Sequence, residues 1–397
     1  MTKLDQFLQR FFVIGLFVLI ALVALVFVVP RLVPSTPAQE PTEVGDRETL
    51  TGRVVAVLEE GTLDLGDDMS HPYQRLLIRV QRGSLAGEEI IVEEGTINIV
   101  SEDRLFKPGD RVYVERVIGQ QQDRFYISDP VRTGPLMLIM GLFFTLVVLV
   151  GRGKGLRAML GTVFSLLVIF TFIVPQILSG RDPVTVSVIG SIALMAVSTY
   201  LVYGWNPKAH AAVAGMMLSL VLTGVIAWLF VEWTRMTGLS AEESSYLVME
   251  MGGDVNLRGL VLGGIIIGSL GVLDDVCVGQ ASAVFELVNA NRDLGWRDLF
   301  RSSLNIGRDH IAAMVNTLLL AYVGASLPLM LVFTLYQEPI MRRINREPIA
   351  EEIVRTLVGS VGLVLAVPIT GLLASLLARW VVNRERRANG DGGGAAC

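Results

Sequence analysis

Two adjacent aspartates, Asp274 and Asp275, stand near the middle of an otherwise apolar run, residues 259–290. A carboxylate near the centre of a bilayer costs roughly 2.5–3.5 kcal/mol on insertion scales, and neighbouring carboxylates repel one another. A pair kept there at that cost suggests reversible binding of a proton or a small cation. The alternative is a pair that a buried Arg neutralises, or one that lies at the cytoplasmic interface and only packs helices. At helical spacing Gly264, Gly268, Gly271, Asp275, Gly279, Ser282, Glu286 and Asn289 fall on one stripe, each three or four residues from the last. Gly264, Gly268, Gly271 and Gly279 read as helix-packing positions that let another backbone come close in lipid. Asp275, on the stripe, is expected to face protein or a water-filled cavity. Asp274 lies about a quarter-turn off the stripe and is expected to tune its neighbour.

Further polar residues extend this line. Glu286 and Asn289 continue the stripe, and His310 and Asn316 occupy the start and interior of the next apolar run, with Tyr322 deeper still. An imidazole can take or pass a proton near neutral pH, although a histidine at the end of a span is commonly just interfacial. Between the two runs, residues 293–309 set Trp296, Leu299, Phe300 and Leu304 on one face and Arg297, Arg301 and Arg308 on the other. This is the pattern of an amphipathic connector on the cytoplasmic side, and Arg301, Asn305, Arg308 and Asp309 form a candidate polar cluster there.

The elements that must hold these groups are membrane spans. The 397 residues are 52% hydrophobic, with a mean hydropathy of +0.56, and apolar runs fall at 11–29, 136–150, 158–178, 184–203, 211–231, 259–282, 311–334 and 353–378. Runs near 20 residues match the thickness of the hydrocarbon core, so the expected fold is an α-helical polytopic membrane protein of about eight transmembrane helices. Residues 1–33 read as an N-terminal membrane anchor, because the first run is long and no small-residue cleavage site closes it. Residues 34–132 are different. Short β-rich runs broken by Gly, Pro and Asp turns predict a small β-barrel-like domain of five or six strands. Residues 133–382 form the polytopic part and 383–397 a flexible cytoplasmic tail. Basic residues in short loops favour cytoplasmic N- and C-termini and an extracytoplasmic β domain; Arg342, Arg343 and Arg346 run against that orientation. Residues 232–254, on the outer side, contain a candidate short interfacial helix.

Charge is uneven. Residues 34–132 hold 19 of the 38 acids but 11 of the 33 bases, and no concentrated Lys/Arg surface exists to bind nucleic acid. Cys277 and Cys397 offer no disulfide framework. No C-x-x-C or H-E-x-x-H metal spacing, phosphate-binding loop, nucleophile turn or dinucleotide fingerprint is present, so neither an enzyme, a cofactor nor a metal is expected. The expected partners are the lipid bilayer, protons or a small cation, and an envelope protein that the β domain would engage; oligomerisation stays open.

The segments GGIIIGSLGVLDD (263–275), VCVGQASAVFEL (276–287) and GRDHIAAMVNTLLLAY (307–322), together with the anchor and outer β domain, resemble the YibE/F-like family of bacterial membrane proteins. The resemblance implies a bacterial inner-membrane location and a transport-related role. A weaker similarity links the order of membrane Asp274 or Asp275, Arg301, Asn305 and Asn316 to Leu320 to the proton-coupled helices of SecD, SecF and the resistance-nodulation-division proteins. The expected function is a proton- or cation-coupled transporter or export-assisting protein centred on Asp275. The rivals are a membrane scaffold whose β domain docks an envelope partner, and an intramembrane enzyme.

Overall fold

A computed structural model describes residues 47–64, 70–96, 105–119, 123–240, 242–251, 255–335 and 338–390. The expected anchor at 1–33 and the last residues of the tail lie outside these. By internal contacts the chain divides into two compact units, one of them Glu40–Leu146 and the other built mainly of Val147–Cys397.

The smaller unit carries five antiparallel strands: β1 (Arg47–Asp64), β2 (Ser70–Arg82), β3 (Glu89–Glu94), β4 (Arg111–Val117) and β5 (Arg124–Pro130), in the order β3-β2-β1-β4-β5. β1 pairs with β2 from Thr51 to Asp64 and with β4 only over its first seven residues. Register shifts at Thr51/Gly52, Val54/Ala56 and Val57/Glu59 bend it, as bulges do. The sheet therefore curls around Leu50, Val54, Leu76, Ile78, Val112 and Val114, all essentially inaccessible. The expected barrel is a curled sheet: the short outer strands β3 and β5 come near one another but do not pair. Phe106 fills the core beside them, held by the buried Gln74 amide, which accepts from the Phe106 N–H (2.8 Å) and donates to its carbonyl (3.2 Å). At one rim Glu48 accepts from the Ser84 N–H and hydroxyl and from Arg116, which also pairs with Asp123. The Ser84 hydroxyl, then its N–H, holds the Glu48 carboxyl below its usual range.

The rest is helical: α1 (Thr133–Val168), which starts within the smaller unit, and then, in the larger unit, a π-helix (Ile169–Ile173), α2 (Val174–Leu178), α3 (Pro183–Tyr203), α4 (Pro207–Trp233), α5 (Glu242–Glu250), α6 (Leu257–Ala290), α7 (Trp296–Ala325), α8 (Leu327–Leu335), α9 (Ile340–Ile344) and α10 (Glu347–Gly390). Asp182, Asn206 and Asn256 cap α3, α4 and α6 by accepting from the N–H three residues on, and Pro183 and Pro207 occupy first-turn positions where no N–H is needed. α6 is the central helix, packed against α3, α4, α7 and α10.

Among the described residues five helical stretches are long and apolar enough to cross a membrane, or six if α7 and α8, bent by 63°, count as one broken span. This is fewer than the eight expected. The run at 11–29 is outside the described residues, and the runs at 136–150 and 158–178 merge into the stretch Thr133–Leu178. That stretch is not a straight rod. Arg152 has φ 49° and ψ −133°, and a Cβ on Gly155 would collide with the Val147 carbonyl. In a straight helix eight residues would separate those positions by about 12 Å, so the chain turns sharply at Arg152. The connector predicted at 293–309 is likewise no separate element. Nothing stops a helix between Trp296 and Ala325, and α7 runs through both connector and span. It ends at Ser326, ahead of Leu327-Pro328, where the proline lacks an N–H and disfavours helical geometry in the residue before it. The short helix expected within 232–254 is α5.

Candidate functional site

The site is built on α6, and its neighbours decide what each face does. Ile265, Ile266, Leu273 and Val276 are buried in the core. The stripe is the open side. Gly264, Gly268, Gly271, Asp275, Glu286 and Asn289 are exposed, and Gly279 and Ser282 are partly so. α7 flanks it on one side: a Cβ on Gly268 would lie 3.5 Å from the Tyr322 hydroxyl, and one on Gly279 would lie 3.9 Å from His310 Cε1. α3 flanks the other side through Asp274.

The stripe glycines differ from the expected tight packing positions. A Cβ on Gly264 or Gly271 would meet nothing within 4 Å, so their small size leaves open space. The close approaches belong to other glycines. Gly263 abuts Ser187 of α3, Gly215 of α4 abuts Thr370 of α10, Gly362 abuts Thr223, and Gly307 of α7 abuts Val367. Each puts a glycine against a small or branched side chain, as close helix crossings in lipid require. The periodicity located the small face but could not say which helix it met.

Asp274 is partly buried and accepts a long hydrogen bond from the Thr199 hydroxyl (3.4 Å). Thr199 lies four residues before Tyr203, the last residue of α3. In depth the pair is therefore about one helical turn, some 6 Å, inside the end of α3. Asp275 points to the open stripe. Among the described residues neither carboxylate forms an ion pair, which leaves the expected alternative of a neutralising Arg without support.

The remaining predicted residues divide. His310 sits on the exposed side of α7 against Gly279. Asn316 is exposed two positions from buried Leu318, about 200° around the helix, and does not join the aspartates. Glu286 and Asn289 lie on the last turns of α6, beyond the level at which α3 ends. Arg301, Asn305, Arg308 and Asp309 are all exposed on the first half of α7, where Arg308 donates to Asn305 (3.1 Å).

Several residues escaped the sequence reading. Gln280, 2% exposed, donates to the Ser303 carbonyl at 2.7 Å and lies against Gly307 and Gly371, so one amide joins α6, α7 and α10. Thr370 donates to the buried Cys277 Sγ (3.1 Å). His210 shares a hydrogen bond with the Tyr200 hydroxyl (2.9 Å) and sits against Trp205. An amide amid glycines gave no periodic signal that could have marked it. At the opposite end of the bundle Glu347 accepts from the Thr237 N–H and hydroxyl and the Gly238 N–H. Near it Arg355 pairs with Glu351 (2.5 Å) and Glu352 (3.5 Å). Two cavities stand out, both almost wholly apolar: one of about 530 Å³ bordered by α3, α4 and α6, and one of about 210 Å³ between α7, α8 and α10. No group of three or more His, Cys, Asp or Glu side chains suited to a metal occurs among the described residues.

Long apolar helices around a central helix that carries two carboxylates, with a separate curled sheet, define a membrane protein of the helical polytopic class. A family model described as YibE/F-like protein matches residues 139–380. The chain belongs to the YibE/F-like family, as its Asp-pair segment suggested. The weaker similarity to SecD and SecF is not shown. A search of curated proteins and a search of solved structures each found no match.

Proposed function

We propose that this chain is a proton- or cation-coupled membrane transporter or export-assisting protein whose coupling site is the Asp274–Asp275 pair. One observation carries the reading: two adjacent carboxylates sit on the central helix of the bundle, one on its open face, with no basic partner among the described residues. A pair kept only for packing gains nothing from this arrangement, since burying charge without compensation is costly. In this reading Asp275 exchanges the ion along the open stripe. Asp274, beneath Thr199, sets how readily its neighbour gives the ion up.

The whole-chain reading follows. Eight spans result if the run at 11–29 is one, the stretches on either side of Arg152 are two more, α3, α4, α6 and α10 are four, and the bent α7–α8 pair is the eighth. An even number puts both termini on one face. Basic residues gather at the end of the bundle where Arg292, Arg379 and Arg386 meet, which supports a cytoplasmic assignment for that end. The bacterial inner membrane is then the location, with the β domain outside and no enzymatic role.

The test is ion flux into liposomes that contain the purified full-length protein, under an imposed potential and read with pH- and cation-sensitive dyes. Asp275→Asn is expected to abolish flux, Asp275→Glu to keep part of it and Asp274→Asn to be milder. Full flux in correctly inserted Asp275→Asn protein would overturn the coupling role. If that variant also behaved normally in cells while changes on the β-sheet surface abolished function, the scaffold reading would replace this one.

A further inference from the structure

We infer that the open stripe of α6 is an interface between two copies of this chain, in which the acids on α6 of one copy meet the arginines on α7 of the other. Charge complementarity carries the inference. The depth at which each charge lies makes it specific.

α6 and α7 are joined by the short connection 291–295, so they run antiparallel. Gln280 fixes their register, because its amide donates to the Ser303 carbonyl and lies against Gly307. Gln280 is therefore level with residues 303–307 of α7. Six residues further along α6 comes Glu286, level with 297–301, and five residues back comes Asp275, level with 308–312. Arg297, Arg301 and Arg308 stand at just those levels. Steps of four and seven residues put the three arginines on one line of α7, and all three are exposed, as Asp275 and Glu286 are. Asp298 and Asp309 each lie one residue, about 100° of helix, off that line.

Within one copy these charges do not meet. Among the described residues neither acid and none of the three arginines forms an ion pair; Arg297 stacks on Trp296 and Arg308 donates to Asn305. The arginine line lies on the side of α7 away from buried Leu299, Ser303 and Gly307, so it points out of the bundle. A two-fold axis along the membrane normal keeps every residue at its own depth and sets each surface reciprocally against its counterpart. It brings the arginine line of each copy to the stripe of the other, with Glu286 between Arg297 and Arg301, and Asp275 beside Arg308, each pairing made twice.

The stripe has room for such a neighbour. Nothing in the chain itself lies within 4 Å of a Cβ on Gly264 or Gly271, and glycines at helical spacing let another backbone come close in lipid. Left uncovered, these charges would face lipid at a cost. The apolar run at 11–29 could cover the stripe, but it carries no charge to answer the acids. The interface does not rest on the coupling role of Asp275. Where both hold, Arg308 of the second copy is the counter-charge that an arriving cation displaces.

The test combines the mass of the purified full-length protein in detergent, by light scattering, with disulfide formation in isolated membranes between Glu286→Cys and Arg301→Cys placed together in a Cys397→Ser chain. The wild type is expected at twice its 43.2 kDa, and the cysteine pair is expected to give a reducible band of dimer size. Glu286→Arg and Gly264→Leu should each halve the mass. The leucine Cβ meets no atom of its own chain, so an unchanged unfolding midpoint is expected beside the lost dimer. Adding Arg301→Glu to Glu286→Arg should restore the dimer, which a misfolded variant could not do. A monomeric wild type whose cysteine pair gives no dimer band overturns the interface, and so does a dimer that neither Glu286→Arg nor Gly264→Leu weakens. A dimer lost in Glu286→Arg, in a protein whose flux survives Asp275→Asn, would keep the interface and refute the coupling role of the Asp pair.

Discussion

Glycine identity matters at some positions of α6 and not at its neighbours, and this can be tested one residue at a time. Gly263 is pressed against Ser187, whereas Gly271 faces open space. Gly263→Ala is expected to lower the unfolding midpoint, by the ~1–3 kcal/mol typical of overpacked contacts. Gly271→Ala should be neutral or slightly stabilising, since alanine is the better helix former. Thermal unfolding of both variants in detergent checks the pair, and equal effects would mean that the stripe is packed after all. The same contrast shows what the sequence could and could not reveal at this scale. The spacing from Gly264 to Asn289 marked one face correctly, because helical periodicity depends only on the chain itself. Which neighbour that face meets depends on the other helices. Gly263 lies one residue off the stripe and so was not read as a packing position.

At the scale of elements, the five strands, α3, α4 and α6 were legible because alternating or sustained apolar patterns end in clear turn and cap residues such as Lys107-Pro108-Gly109-Asp110 and Asn206-Pro207. The breaks were harder to read. The turn at Arg152 rests on a residue in the left-handed half of conformational space, which L-residues other than glycine occupy only under strain. Gly151 and Gly153 stand on either side, yet the strained position fell to an arginine. Arg152→Gly is therefore expected to stabilise the fold by about 1 kcal/mol, read as a raised unfolding midpoint; a lowered midpoint would mean that the side chain contributes more than its backbone costs. The α7–α8 bend was visible only as Pro328, and prolines also occur inside unbroken helices, as Pro368 does in α10.

For the whole molecule the decisive question is which end of the bundle faces the cytoplasm. Single cysteines at Ser84→Cys in the β domain and Arg297→Cys on α7, in a Cys397→Ser background, should label oppositely. The first is expected to react with a membrane-impermeant maleimide in intact cells and the second only after lysis; the reverse pattern would invert the topology. Cys277 need not be removed for this, because it is wholly inaccessible and bonded to Thr370 at the junction of α6 and α10. That seal makes the thiol a stopwatch for the protein's own breathing. A thiol reagent can reach it only when the two helices part, so with reagent in excess its modification rate reports how often the central packing opens, and any ion that draws the bundle together will slow the clock.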